Sequence, residues 1–208
     1  MSDKESRRAG RPRSFDIDAA LEVGQKLFHE RGYDGVSLSD LTSALGIAAP
    51  SFYAAFSSKA AFFQQILDRH ANAALPIDEF LVEGRTLTEA IEEFLVKRAV
   101  TYSESSVAKG CLVLNATRGC SDAYASAAAE QIAENGQLRM RERIAELRPD
   151  LSEPISDLVA AIMHGLSALA RQGWSTNRLV DVARNAALSV RSMLDDPRSV
   201  TPVADATP

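Results

Sequence analysis

SLSDLTSALGIAAPSFYAAFSSK, running from Ser37 to Lys59, sets two short apolar-periodic segments on either side of a glycine. Leu38, Leu41 and Leu45 recur at spacings of three and four and so share one helix face, while Ser37 stands at the N-cap with Asp40 three residues on. Gly46 ends this helix. After the turn Gly46-Ile47-Ala48-Ala49, Pro50 suits a first helical position, because it has no N–H to leave unpaired and its φ is already near helical. Phe52, Tyr53 and Phe56 follow within about one and a half turns. A helix this short cannot bury every ring, so at least one of Pro50, Ser51 and Tyr53 faces outward, toward a groove or a phosphate. The pattern predicts a helix-turn-helix with duplex DNA as its partner.

The same residues carry a family resemblance. Leu41-Thr42-Ser43-Ala44-Leu45-Gly46-Ile47, then Ala49-Pro50-Ser51-Phe52-Tyr53-Ala54-Ala55-Phe56, then Ser58-Lys59, resembles the DNA-binding domain of the tetracycline-repressor (TetR) family of bacterial transcription regulators. The match spans about residues 14 to 68 and keeps the Tyr, the second Phe and the Lys in register, where a generic helix-turn-helix shares only the apolar positions and the glycine. Phe52 replaces the usual Leu, and Ala55 a frequent His, which puts one phosphate or base contact in doubt. The resemblance implies that Ser37, Tyr53 and Lys59 bind phosphate oxygens and that Ala49, Pro50 and Ser51 meet base edges. That is a thin direct readout, so groove shape and the N-terminal arm are expected to carry much of the discrimination.

The arm resolves a conflict of charge. A net charge of −5 argues against a nucleic-acid partner until its distribution is read. Lys4, Arg7, Arg8, Arg11 and Arg13 face only Asp3 and Glu5 over residues 1–13, residues 1–70 are neutral, and the whole acidic excess follows residue 70. Gly10-Arg11-Pro12-Arg13 resembles the Gly-Arg-Pro core of minor-groove hooks, which places Arg11 and Arg13 in a narrow A·T-rich groove. A solvated tail is the alternative. An acidic remainder discourages nonspecific spreading along DNA.

A chain of 208 residues, 46% hydrophobic and 25% charged, has ordinary globular composition and can hold a substantial core. No apolar run approaches the ~18 residues of a membrane span, and the Arg-rich N-terminus has no apolar signal core, so the expected location is the cytoplasm. Cys111 and Cys120 lie too far apart along a helix for a disulfide and are expected to be reduced.

The fold class predicted is all-α, with about nine helices. Asp16 to about Arg31 carries Ile17, Ala20, Leu21, Leu27 and Phe28 on one stripe and stops at Gly32. Ser57 or Ser58 caps a fourth helix that continues until Pro76, and Thr86-Leu87-Thr88-Glu89 is a capping box opening a fifth to about Glu104. A loop to Gly110, a short helix from about Cys111 to Arg118 and an Ala-rich one from about Asp122 to Leu147 follow. The expected organisation is a basic arm over 1–14, a DNA-binding domain over 15–58, an effector-binding and dimerisation domain over 59–194, and a disordered tail over 195–208.

Two final helices, from Pro154 to Arg171 and from Asn177 to Leu194, turn at Gly173-Trp174 and carry broad apolar stripes. In the family the corresponding pair forms a four-helix bundle with its two-fold mate, which makes Ile155, Leu158, Ile162, Leu166, Leu179, Val182, Ala186 and Val190 the expected homodimer interface. The alternative is that both stripes face only the chain's own core. A two-fold dimer reads an inverted repeat with half-sites about 34 to 36 Å apart or somewhat more.

The family resemblance also implies release from the operator by a small molecule. Phe63, Leu67, Phe94, Tyr102, Cys111, Asn115, Tyr124, Met163 and His164 are the expected effector-pocket residues, although core packing draws on the same composition. Lys109-Gly110-Cys111-Leu112 resembles a segment common in one branch of the family; the favoured reading of Cys111 is a small buried helix-start residue, and the alternative is a thiol with a lowered pKa, beside a lysine, that reacts with oxidants or electrophiles. Catalysis is not expected: His29, His70 and His164 are scattered, no HExxH, CxxC or phosphate-binding glycine loop occurs, and no cofactor or metal is implied. The predicted function is a dimeric, ligand-responsive repressor. The alternatives are a helical ligand or thiol-redox sensor without DNA binding and, less supported, a small all-helical enzyme.

Overall fold

Five helices begin at a side-chain cap. In the computed structural model, which describes residues 16–74, 76–105 and 108–196, Asp16 caps α1 (Ile17–Arg31) and Ser37 caps α2 (Leu38–Leu45). Ser58 caps α4 (Lys59–Asn72), Thr86 caps α5 (Leu87–Glu104) and Asp122 caps α7 (Ala123–Ala145). Both predicted reciprocal boxes form, at Ser37 with Asp40 and at Thr86 with Glu89, each satisfying two backbone N–H groups that the helix leaves unpaired. The remaining helices are α3 (Ala49–Phe56), α6 (Leu112–Gly119), α8 (Ser152–Arg171) and α9 (Thr176–Asp195). Among the described residues no strand occurs, and no helix is long and apolar enough to cross a membrane. Gly32 and Gly46 close α1 and α2 at φ 74° and 64°, where a side chain would be strained.

Two apolar clusters hold these helices. The first joins α1, α2, α3 and α4 to α6 and the first turns of α7. Its centre is a block of five buried phenylalanines. Phe56 and Phe62 lie 4.4 Å apart between ring centroids, Phe28 and Phe63 4.7 Å, and Phe52 and Phe62 5.3 Å, the tilted and edge-on spacings that aromatic quadrupoles favour. Ala125 and Ala129 are fully buried beside them, since the alanine-rich start of α7 lets that helix approach α4 closely. The second cluster joins α5, the end of α7, α8 and α9, with Ile91, Leu95, Ile144 and Ile155 at its centre. The rings of α4 belong to the same block as those of α1 and α3, so packing draws no line between residues 58 and 59.

The dimer stripe needs correction. Ile155, Leu166, Leu179 and Val190 are fully buried within the single chain and Ala186 nearly so, because these faces of α8 and α9 close against α5. Leu158, Ile162 and Val182 remain half-buried. Ile17, placed on the inner stripe of α1, is half exposed, and Gly24 takes an inner position instead. The arm, with Arg11 and Arg13, and positions 197–208 of the predicted disordered tail lie outside the described residues; 195 and 196 lie inside, and α9 runs through Asp195.

Gly24 sets the crossing of α1 over α4. A Cβ there would sit 2.5 Å from Phe62 Cε1 and 2.7 Å from Ile66 Cδ1, and neither side chain has room to retreat from a packed block. Gly24→Ala is therefore expected to destabilise the fold by about 1–3 kcal/mol despite alanine's better helix propensity, read as a lowered urea midpoint at unchanged slope.

Candidate nucleic-acid interface

α3 is a helix with one apolar side and one open side. Phe52 and Phe56 point into the aromatic block, and this fixes the rotation of the helix. Pro50, Ser51, Ala54 and Ala55 are exposed and Ala49 is half-buried. Tyr53, 51% exposed, packs edge-on against Phe52 with 6.1 Å between centroids and leaves its hydroxyl outward. No side chain caps α3, unlike the flanking α2 and α4. The turn into α4 holds Ser57 at φ 66°, the one non-glycine at positive φ among the described residues, a conformation that costs on the order of 1–3 kcal/mol and survives because the rings on both sides fix the chain.

Ser37 and Lys59 differ from expectation. Ser37 Oγ donates to the Asp40 carboxylate at 2.5 Å and accepts from the Asp40 N–H at 3.1 Å, so its proton is committed to the α2 cap beside a negative charge. Lys59 Nζ donates to the Tyr33 carbonyl at 2.7 Å and stands 3.9 Å over the Tyr33 ring. This ammonium staples the α1–α2 turn to the start of α4 and keeps two further donors. Burial draws the Lys59 pKa below its ordinary value, against the pull of Asp34.

The nine expected pocket residues do not meet in one cavity. Leu67, Phe94 and Tyr102 are core, with Phe94 edge-on to Phe80 at 5.5 Å. Tyr124 is 58% exposed and its hydroxyl donates to Gln64, which takes it out of any interior wall. Met163 packs against the second cluster, and His164 keeps a buried Nδ1 without a hydrogen-bond partner. Of the nine, Phe63 and Asn115 line a cavity of about 470 Å³ that lies between the end of α1, α6 and the end of α8.

Two of the histidines are not scattered. His29 and His70 stand edge to face with centroids 5.8 Å apart, and Cys111 Sγ lies 3.8 Å from His70 Nε2. His29 Nε2 makes a 3.1 Å hydrogen bond with the Gly110 carbonyl. Sequence separations of 41 and 81 residues hide this cluster from any local pattern. Cys111 follows the favoured reading of a buried helix-start residue and not the activated thiol: burial pushes the thiol up, and the N–H groups of Leu114 and Val113 at the start of α6 offset that only in part. Both cysteines are free.

A family model described as bacterial regulatory proteins, tetR family, matches residues 20–66. The HTH-type transcriptional repressor BdcR of Escherichia coli is 34% identical over 197 residues, covering 94% of this chain and all of the relative. ComR, an HTH-type transcriptional repressor of the same organism, is 30% identical over 186 residues, covering 84% and 88%. Among solved structures, a cysteine mutant of the TetR family transcriptional regulator CifR in complex with a 26-bp double-strand operator DNA superposes with a TM-score of 0.71 at 30% identity, over 86% of this chain and 99% of that one.

Two outcomes are expected from this geometry. Tyr53→Ala should weaken DNA binding by about the same factor for every duplex and leave the melting temperature nearly unchanged, because the ring is half exposed and reads no base; fluorescence anisotropy on preferred and scrambled duplexes checks it. His70 is held neutral by burial, with its pKa lowered from 6.5 to about 4. From about pH 6.5 downward the unfolded chain takes up a proton that the folded chain refuses until about pH 4, so stability falls by a few kcal/mol across that window and levels below it. His70→Gln should flatten this slope in urea titrations at fixed protein concentration, leaving the contributions of His29 and His164, whose pKa values burial also lowers, in the same direction.

Proposed function

Because this chain belongs to the TetR family of bacterial regulatory proteins, we propose that it is a homodimeric repressor that holds an inverted-repeat operator and leaves it when a small molecule binds. The exposed face of α3, locked in rotation by Phe52 and Phe56, is the observation that carries the reading. Both curated relatives matched over most of their length are transcriptional repressors, and the CifR structure is a complex with operator DNA. Ala49, Pro50 and Ser51 supply apolar contact to thymine methyls and one hydroxyl to a base edge. Tyr53 and the free donors of Lys59 take phosphate oxygens, and Ser37 reaches a phosphate only by giving up its bond to Asp40. Arg11 and Arg13 enter the neighbouring minor groove.

Residues 15–58 act as the reading head and residues 59–194 as the effector and dimerisation part, although the two share the aromatic block. In α8, Leu158, Ile162 and Leu169 are the half-buried apolar side chains left for a partner copy, with Val182 and the exposed Leu188 on α9. The site residues perform no bond-making step: the reading is recognition of DNA in the cytoplasm. A thiol-sensing role without DNA has Cys111 as its basis, and the upward push on that thiol argues against a fast-reacting thiolate.

Selection of duplexes from a random pool, with the oligomeric state recorded by sedimentation in the same buffer, tests the proposal. An inverted repeat recovered by a dimer is expected. Ile162→Asp should give a folded monomer that loses the repeat, since a carboxylate desolvated in an apolar interface costs several kcal/mol. A dimer that enriches no duplex in any salt would overturn the operator reading.

A further inference from the structure

The cavity between the end of α1, α6 and the end of α8 has a one-sided chemistry. Arg31, Arg118 and Arg171 stand on its wall and no carboxylate does. Arg118 and Arg171 sit in no ion pair among the described residues, and the nearest counter-charge of Arg31 is Asp40 on α2, at 3.6 Å. Asn115, on the same wall, accepts from Ser167 Oγ at 3.2 Å while its Nδ2 is buried with no partner. Phe63 and Tyr33 give the cavity aromatic walls. At about 470 Å³ it falls in the size range of small-molecule sites.

Three arginines lining one partly apolar cleft give it a positive potential, and their planar guanidinium forks match an oxyanion in a bidentate way. An unpaired amide N–H on the same wall asks for an acceptor. From these groups we infer that the cavity binds a small amphiphilic oxyanion, an aromatic or other planar body carrying a carboxylate or phosphate head, with the head on Arg118 and Arg171 and a polar acceptor on the body reaching Asn115. The inference rests on the repressor reading for its consequence alone. A ligand head that also engages Arg31 competes with Asp40, and so with the ion pair that ties the end of α1 to the start of α2. Arg171 already donates to the His29 carbonyl at 3.4 Å, so the ligand gathers α8 and the last turn of α1 into one contact. The ligand favours whichever placement of α1 closes the arginines, and this differential contact is what shifts a population.

Titration calorimetry on the full chain without DNA tests the site with three matched probes: 2-naphthoate, 2-naphthyl phosphate and the uncharged 2-naphthamide. The expected result is binding of at least one oxyanion about tenfold or more tighter than the amide, weakened by about tenfold or more in Arg118→Gln and in Arg171→Gln and unchanged in Arg191→Gln on the far helix. Both substituted cavity arginines are exposed, and circular dichroism melts confirm that the variants fold. The tighter of the two oxyanions identifies the head group. If neither oxyanion exceeds the amide, or if the arginine variants bind as wild type does, the inference is overturned whatever the DNA result. Arginine-dependent binding in a protein that selects no duplex would keep the site and overturn the repressor reading instead.

Discussion

The packing of Phe28, Phe52, Phe56, Phe62 and Phe63 is the constraint on which the rest of the molecule depends. These rings come from α1, α3 and α4, and each is almost wholly buried. α2 and α3 have eight residues apiece, too short to persist as isolated helices, so their stability is tertiary. Burial of two phenylalanines fixes the rotation of α3, and that rotation is what exposes Pro50, Ser51 and Tyr53 together. The turn at Ser57, with its positive φ, persists because Phe56 on one side and Phe62 on the other leave the chain no other path. Here the recognition surface is a by-product of a core.

How much of this was legible in the sequence follows from the range of each interaction. Caps, glycine stops and apolar spacings are local, and they place the nine α-helices of the described residues to within a few residues; the two capping boxes formed as the Ser-x-x-Asp and Thr-x-x-Glu patterns require. The open face of α3 was legible for the same reason, since a short helix with three rings must leave something outside. The dimer stripe was half legible. Helical periodicity identifies an apolar face without saying what covers it, and α5 covers most of the predicted residues on α8 and α9. The phosphate roles of Ser37 and Lys59 came from the resemblance; the bond of Ser37 to Asp40 was legible in the capping pattern, whereas the Tyr33 carbonyl that accepts from Lys59 lies 26 residues away and no local pattern reveals it.

The cavity and the histidine pair were illegible because nothing local encodes them. Arg31, Arg118 and Arg171 come from three helices, and each alone is an ordinary exposed arginine at or near a helix C-terminus, where the macrodipole favours it. Convergence turns that local preference into a site. Cys111 makes the same point in reverse. Its position at the N-terminus of α6 is the local feature that lowers a thiol pKa, yet enclosure by residues 41 positions upstream and beyond outweighs it.

The links between the α1–α3 unit and the later helices explain how such a compact body can still respond. Beyond the shared apolar cluster the polar links include Asp34, which accepts from Ser121 N–H at 2.9 Å and from its hydroxyl at 2.6 Å, His29 with Gly110, Arg171 with His29, and Arg69 of α4 with Asp18 at 3.2 Å. The Asp34 carboxyl, held below its ordinary pKa chiefly by the Ser121 hydroxyl, is exposed, so this link is a hinge pin in water and contributes little stability. The first three attach to the last turn of α1 or the turn that follows it, Arg69 meets the first turn of α1, and Lys59 ties the later turn through the Tyr33 carbonyl to the first residue of α4. A displacement of α6 therefore meets little resistance at the polar pins and strong resistance at the rings. Because the rings tie α1 and α3 to α4, the α3 face keeps its shape, and in a two-fold dimer the quantity open to change is the placement of that block against its mate, on which the spacing of two half-sites depends.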